Sequence, residues 1–182
     1  FGADVVSRIA AACDGHAKEL QKLAIESIEE ALDKLLVPFP GMRQQLRRMT
    51  LAGNTTMEHL LMGWSCKGLG SWPFHPVSLG GNTLAASELF GDTLPASCTL
   101  TVLPGFSTYV GADIASGLIA CAMDRTGTES LFLDLGTNGE MALGTGHGIF
   151  VASTAAGPAL EGGQLRCGMS SVPGAICSVT WN

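Results

Sequence analysis

Residues Leu131 to Gly144 (LFLDLGTNGEMALG) constrain the fold more than any other stretch: an apolar run holding one carboxylate, a Gly-Thr-Asn-Gly turn, then a second apolar run. Asn-Gly between two apolar runs is the strongest short-range hairpin signal, so the stretch predicts paired strands at Leu131–Leu135 and Met141–Leu143. A carboxylate flanked by Leu131, Phe132, Leu133 and Leu135 is costly to bury without a partner. A hydrated Mg²⁺ ion, which keeps most of its waters and leans on one or two carboxylates plus phosphates, suits a lone Asp134 at the end of a central strand. Gly136, Thr137, Asn138 and Gly139 can expose successive N–H groups in a concave nest, with no Cβ to keep phosphate oxygens away. A plain hairpin needs no ligand, and on the turn alone both readings stand; the Asp inside the strand favours the ligand.

The chain has 182 residues, enough for one good-sized core or two small lobes. Hydrophobic residues make up 46% and charged residues 14%, with 24 glycines, which reads as a turn-rich globular α/β chain rather than a disordered one. A net charge of −6 argues against nucleic-acid and anionic-membrane partners. The densest basic patch, Arg43, Arg47 and Arg48, reads as a solvated helix end. No apolar run approaches the length a membrane helix needs, and no secretory signal opens the chain. Cys13, Cys66, Cys98, Cys121, Cys167 and Cys177 are scattered without a C-x-x-C pair, so reduced and mostly buried thiols in a cytoplasmic protein are expected. His16, His59, His75 and His147 form no metal-ligand spacing and read as structural or exposed.

Helices are expected over Gly2–Cys13, without an obvious cap, and over His16–Val37, where Leu20, Leu23, Ala24, Ile28, Ala31, Leu32 and Leu35 recur at helical spacing until Pro38 and Pro40. A short strand within Gln45–Ala52 leads through GNTTMEHLLMG into a helix with Thr55 or Thr56 as cap, the strand-to-helix corner at which α/β proteins place ligands. A loop-rich stretch follows, with one short helix near Leu84–Phe90. Beyond it come a strand at Cys98–Leu103 and a helix at Val110–Met123 whose small residues Gly111, Ala112, Ala115, Gly117 and Ala120 admit close approach. Strands at Leu131–Leu135, Met141–Leu143 and Ile149–Ala152, a short helix in STAAGPALEGG and a final strand at Ala175–Thr180 complete the reading. The domains expected are 1–63, part of a first lobe; 64–97, a loop-rich insertion; and 98–182, a connecting helix and the start of a second lobe. The absence of an initial Met and the abrupt helical opening suggest a piece of a larger protein.

This order of elements resembles the ATPases of the actin, sugar-kinase and heat-shock-chaperone superfamily, and LDLGTNGE looks like their second phosphate motif. GADVVSRI, LAGNTTMEHLLMG, PFHP, LPGFSTYVGADIASGLIA, LFLDLGTNGEMALG and STAAGPALEGGQLRCGM together resemble the ATPase domain of the reductive activators of corrinoid proteins. The resemblance implies a partial actin-like ATPase (ribonuclease H-like) α/β fold and ATP-driven reactivation of a Co(II) corrinoid protein. Asp134 would hold Mg²⁺ through water, and Gly136, Thr137, Asn138 and Gly139 would cradle the ATP phosphates. Glu140 and Asn54 would be the catalytic candidates, Glu140 orienting water or a ligand of the metal's outer sphere, and Asn54 standing at the corner that faces the γ-phosphate or the acceptor. An upstream [2Fe–2S] cluster is implied for the parent protein but not bound by this chain; where related dehydratase activators begin the STAAGPALEGG segment with Cys, Ser153 stands here. The partner implied is a corrinoid iron–sulfur protein or corrinoid methyltransferase, with a homodimer also in view. The superfamily's first phosphate motif would lie before Phe1 and its adenosine-binding glycines beyond Asn182. Two alternatives remain, a small-molecule kinase on the same fold and a nucleotide-binding scaffold without turnover. The kinase would need a base at the corner where Asn54, a poor proton acceptor, stands.

Overall fold

A computed structural model describes residues 4–125, 127–136, 138–154 and Gly174. Most of the STAAGPALEGG segment, the expected strand at Ala175–Thr180, Cys167 and Cys177 therefore lie outside the described residues. Three strands form the first sheet, β1 (Arg48–Leu51), β2 (Thr83–Ala85) and β3 (Thr99–Val102), in the order β1-β3-β2. β3 runs parallel to β1 and antiparallel to β2. Its alternation decides the core: Leu100 and Val102 point inward and are fully buried, joined by Ala86, Phe90, Leu94 and Cys98. Residues 64–97 supply both β2 and much of that core.

The first helix, α1 (Val5–Ala11), does have a cap: Asp4 and Ser7 form a reciprocal capping box, two residues beyond the start expected at Gly2. A π-helical turn at Ala12–His16, kinked at Gly15, joins it to α2 (Ala17–Leu36). On α2, Leu20 packs with Leu60, Cys66 and Leu69, while Ile25 and Ile28 cover the first sheet's core. Arg43 is not merely solvated; its guanidinium binds Asp33 at 2.9 Å and the Glu29 carbonyl at 3.2 Å, tying the segment after α2 back onto it. Among the described residues no helix is long and apolar enough to cross a membrane.

The strand-to-helix corner leads into α3 (Thr55–Met62), whose cap is Asn54 rather than either threonine: its Oδ1 accepts the Met57 N–H at 2.9 Å. Both threonines turn inward, and the Thr55 hydroxyl donates to the Ser107 carbonyl at 2.9 Å. His59 is wholly buried; its Nε2 accepts the Val77 N–H at 3.0 Å, which leaves Nδ1 to donate to the Thr55 carbonyl at 2.7 Å. Burial holds its pKa below the ordinary histidine value, so the ring is a neutral brace. His59→Ala removes the acceptor of the Val77 N–H and opens a cavity where a wholly buried ring stood, and a loss of about 2 kcal/mol or more is expected in urea unfolding. Stability within about 0.5 kcal/mol of wild type would refute the bracing role.

After the short helix α4 (Ser87–Phe90) and β3, helix α5 (Ala112–Ala120) leads to the second sheet. That sheet is an antiparallel meander of β4 (Ser130–Leu135), β5 (Gly139–Thr145) and β6 (Gly148–Thr154). α5 covers one face, where Ile114 and Leu118 meet Phe132, Ala142, Ile149 and Val151. Gly117 makes this approach possible: a Cβ there would sit 2.7 Å from the Phe132 ring. Leu131, Leu133, Leu135, Leu143 and Phe150 are exposed on the opposite face. This overturns two expectations about Asp134. Among the described residues β4 is an edge strand, not a central one, and the Asp134 carboxylate is exposed, because its leucine neighbours alternate to the open face. Asp134 shares the Phe132 face, past the point where α5 covers it.

Candidate functional site

A cleft of about 490 Å³ opens between the β1–α3 corner, the start of α1, the N-terminal end of α5 and the β4–β5 turn. Asn54, Asp134, Gly136, Asn138 and Glu140, which are 54 to 140 in the chain and come from both sheets, all line it, together with Asp113. Thr137 lies outside the described residues. Gly139 is buried as the first residue of β5, paired with Leu135 and Thr154, so it belongs to the strand and not to the turn. The Gly136 N–H is already spent on the Asn138 carbonyl at 3.0 Å, so the turn is a self-bonded hairpin loop, not a nest of open donors at that position.

Asp113 is the residue the sequence reading missed. It stands second in α5, its Oδ1 accepting the Ile114 N–H at 2.9 Å. Its carboxyl is pushed above the usual range by burial, with the Asp134 charge adding to the rise. Glu140 is likewise raised, first by burial and then by the charges of Asp113 and Asp134, while the Ser153 hydroxyl at 3.5 Å opposes the rise. A signal for Asp113 was present in VGADIASG, one carboxylate in an apolar run, the same pattern that singled out Asp134.

Close packing holds the corner against α5. A Cβ on Gly111 would lie 2.7 Å from both the Asn54 Cα and the Gly53 carbonyl oxygen. Gly111→Ala therefore has to push α5 off the corner, since both obstacles are backbone. Loss of about 1–3 kcal/mol in denaturant unfolding is the expected outcome; unchanged stability would mean the two elements are not packed as described.

The lining carries Arg8 on one wall and the carboxylates Asp113, Asp134 and Glu140 on others. Asp113, Asp134 and Glu140 repel one another and would repel an anion, whereas hard carboxylate and amide oxygens are the donors Mg²⁺ prefers. Among the described residues no group of three or more His, Cys, Asp and Glu is placed to hold a metal ion. The first turn of α3, with Thr55 and Thr56 on the cleft wall, adds helix N–H groups that favour an anion beside such a cation.

Two small sheets joined by a helix, with an acidic cleft between them, form part of the actin-like, or ASKHA, α/β fold. Residues 1–126 match the family model for the RACo middle region, and residues 128–182 that for the C-terminal domain of RACo, the ASKHA domain. The chain belongs to the RACo family. It is 36% identical over 181 residues to the corrinoid activation enzyme RamQ of Eubacterium limosum, covering 97% of this chain and 30% of that protein. A [Co(II) methylated amine-specific corrinoid protein] reductase of Methanosarcina barkeri is 30% identical over 167 residues, covering 87% of this chain and 31% of that one. A solved reductive activator for corrinoid, iron–sulfur protein superposes with a TM-score of 0.83 at 31% identity, over 93% of this chain and 27% of its own. The chain thus spans about a third or less of each relative.

Proposed function

We propose that this chain is the core of an ATP-binding and ATP-hydrolysing unit whose parent protein reactivates Co(II) corrinoid proteins by reduction. One observation carries the reading: Asn54, Asp113, Asp134 and Glu140, from two sheets and a connecting helix, converge on one cleft. The named activities of the relatives support the corrinoid partner. In this reading Asp134, exposed at the cleft, is the carboxylate that would hold Mg²⁺, and the β4–β5 turn with the α3 N-terminus would face the phosphates. Mg²⁺ supplies charge neutralisation at the phosphates. Asp113 and Glu140, whose proton affinity burial raises, would in their ionised form orient the attacking water and accept its proton. Asn54, its Oδ1 committed to the cap, has its amide N–H groups left for a phosphate oxygen.

Phosphate release by the full-length protein, measured with and without a reduced corrinoid protein, tests this. ATP hydrolysis that rises with the corrinoid protein is expected. Transfer of the phosphoryl group to a small molecule would favour a kinase, and absence of turnover a scaffold. A second expectation is that residues 1–182 alone bind ATP weakly, and sub-micromolar affinity by titration calorimetry would contradict it.

A further inference from the structure

Arg8 is the one basic side chain among the described residues that line the cleft, and none of the acids there holds it. The ion pairs among the described residues leave it out. Its guanidinium, half-buried, donates from Nη1 to the Met57 sulfur at 3.0 Å. A thioether is a weak and neutral acceptor for a cation with five N–H donors. Asp4, one turn earlier, is committed to its own cap: its Oδ1 accepts the Ser7 N–H at 2.7 Å and the Ser7 hydroxyl at 2.8 Å. Arg8 also borders a second, mostly apolar hollow of about 460 Å³ between α2 and α3. The acid on that wall, Glu58, is 5% exposed with an Oε1 that has no partner, so the guanidinium is not spent there either.

The neighbouring residue fixes where Arg8 starts from. Ile9 packs with Leu20, Leu60, Cys66 and Leu69, and a Cβ on Gly70 would lie 2.9 Å from its Cγ2. Met57, on which the guanidinium rests, belongs to the first turn of α3. The Asn54 cap of that turn takes the N–H groups of Met57 and Glu58 and leaves those of Thr55 and Thr56. Donors therefore gather on the α1–α3 wall, while Asp113, Asp134 and Glu140 stand on α5 and the β4–β5 hairpin. A phosphate that carries a cation satisfies both walls, with its oxygens toward the donors and its cation toward the carboxylates. We propose that Arg8 is a phosphate-binding residue of the cleft, its guanidinium exchanging the Met57 sulfur for oxygens of the terminal phosphate of a nucleoside triphosphate. This rests on the nucleotide reading above, in which Asn54, at the start of the same α3 turn, meets a phosphate oxygen. A planar guanidinium grips two phosphate oxygens at once, which a thioether contact cannot match.

Titration calorimetry on the full-length protein with Mg²⁺, using ADP and the non-hydrolysable β,γ-imido analogue of ATP, tests this. Arg8→Met keeps an unbranched stem and removes the charge and the donors. Its affinity for the analogue should fall at least about tenfold, while its affinity for ADP stays within about twofold of wild type. Unchanged affinity for the analogue, or an equal loss for both nucleotides, would overturn the proposal. Wild-type protein supplies an independent arm should Arg8→Met fail to fold. Modification of Arg8 by an arginine-selective dicarbonyl, followed by peptide mass, should be slowed by the analogue and not by ADP. An equal rate with and without the analogue would again overturn the proposal. Wild-type protein that binds neither nucleotide would sink the nucleotide reading and this proposal together, whereas binding indifferent to Arg8 would sink the proposal alone.

Discussion

Asp134→Ala in the full-length protein should lower ATP-dependent reactivation of an oxidised corrinoid partner at least about a hundredfold, while an upstream iron–sulfur cluster is still reduced at the wild-type rate. The separation follows from where the carboxylate sits. Asp134 is exposed on the cleft side of an edge strand, past the reach of the α5 packing, so its removal costs the fold roughly 0.5 kcal/mol or less. On the proposed reading, what it takes away is a carboxylate that would anchor a cation beside the phosphates. The optical spectrum of the corrinoid, followed after adding ATP and a low-potential reductant, reports the loss as persistence of the Co(II) band. Reactivation at the wild-type rate would return β4 and β5 to the status of a plain hairpin.

The second large effect is on stability. Glu58 has its carboxyl raised from 4.5 to about 7 in the folded chain, so folding takes up a proton between those values. Stability from this group is fully present below about pH 4.5 and is lost as the pH rises through about 7. At about 1.4 kcal/mol per pH unit the loss approaches about 3 kcal/mol by pH 8. Glu58→Gln is neutral at every pH and should flatten this component, so the variant is expected to be the more stable protein at pH 8 and to lose its advantage near pH 4. Urea unfolding of both proteins at the two pH values measures it. Parallel profiles would mean that the carboxyl is hydrated in the folded state.

Asp134 and Asp113 illustrate different limits of the sequence. LFLDLGTNGEMALG identified a hairpin and the carboxylate at its mouth, but the burial assigned to Asp134 was wrong. Alternation on a two-faced strand was legible, yet which face a helix would cover was not, and Leu131, Leu133 and Leu135 proved to be the exposed set. In VGADIASG the small residues announced close packing, and Gly111 and Gly117 deliver it. The carboxylate among them became meaningful only when the fold set it opposite Asp134.

Local chemistry, then, was decided by the sequence itself. Apolar spacing produced α2, Pro38 and Pro40 stopped it, and the Gly-Asn corner started α3, because these preferences act over a turn or two of chain. The resemblance carried by the ordered motifs likewise reached the RACo family before any coordinates did. Tertiary structure decided what depends on contacts distant in sequence: that residues 64–97 give a strand to the first sheet, that Asn54 rather than a threonine caps α3, and that Glu58 is buried with an unpaired oxygen. Burial and electrostatic coupling are properties of neighbours, and for Glu58, Asp113, Asp134 and Glu140 the charges that matter sit on different elements of the chain.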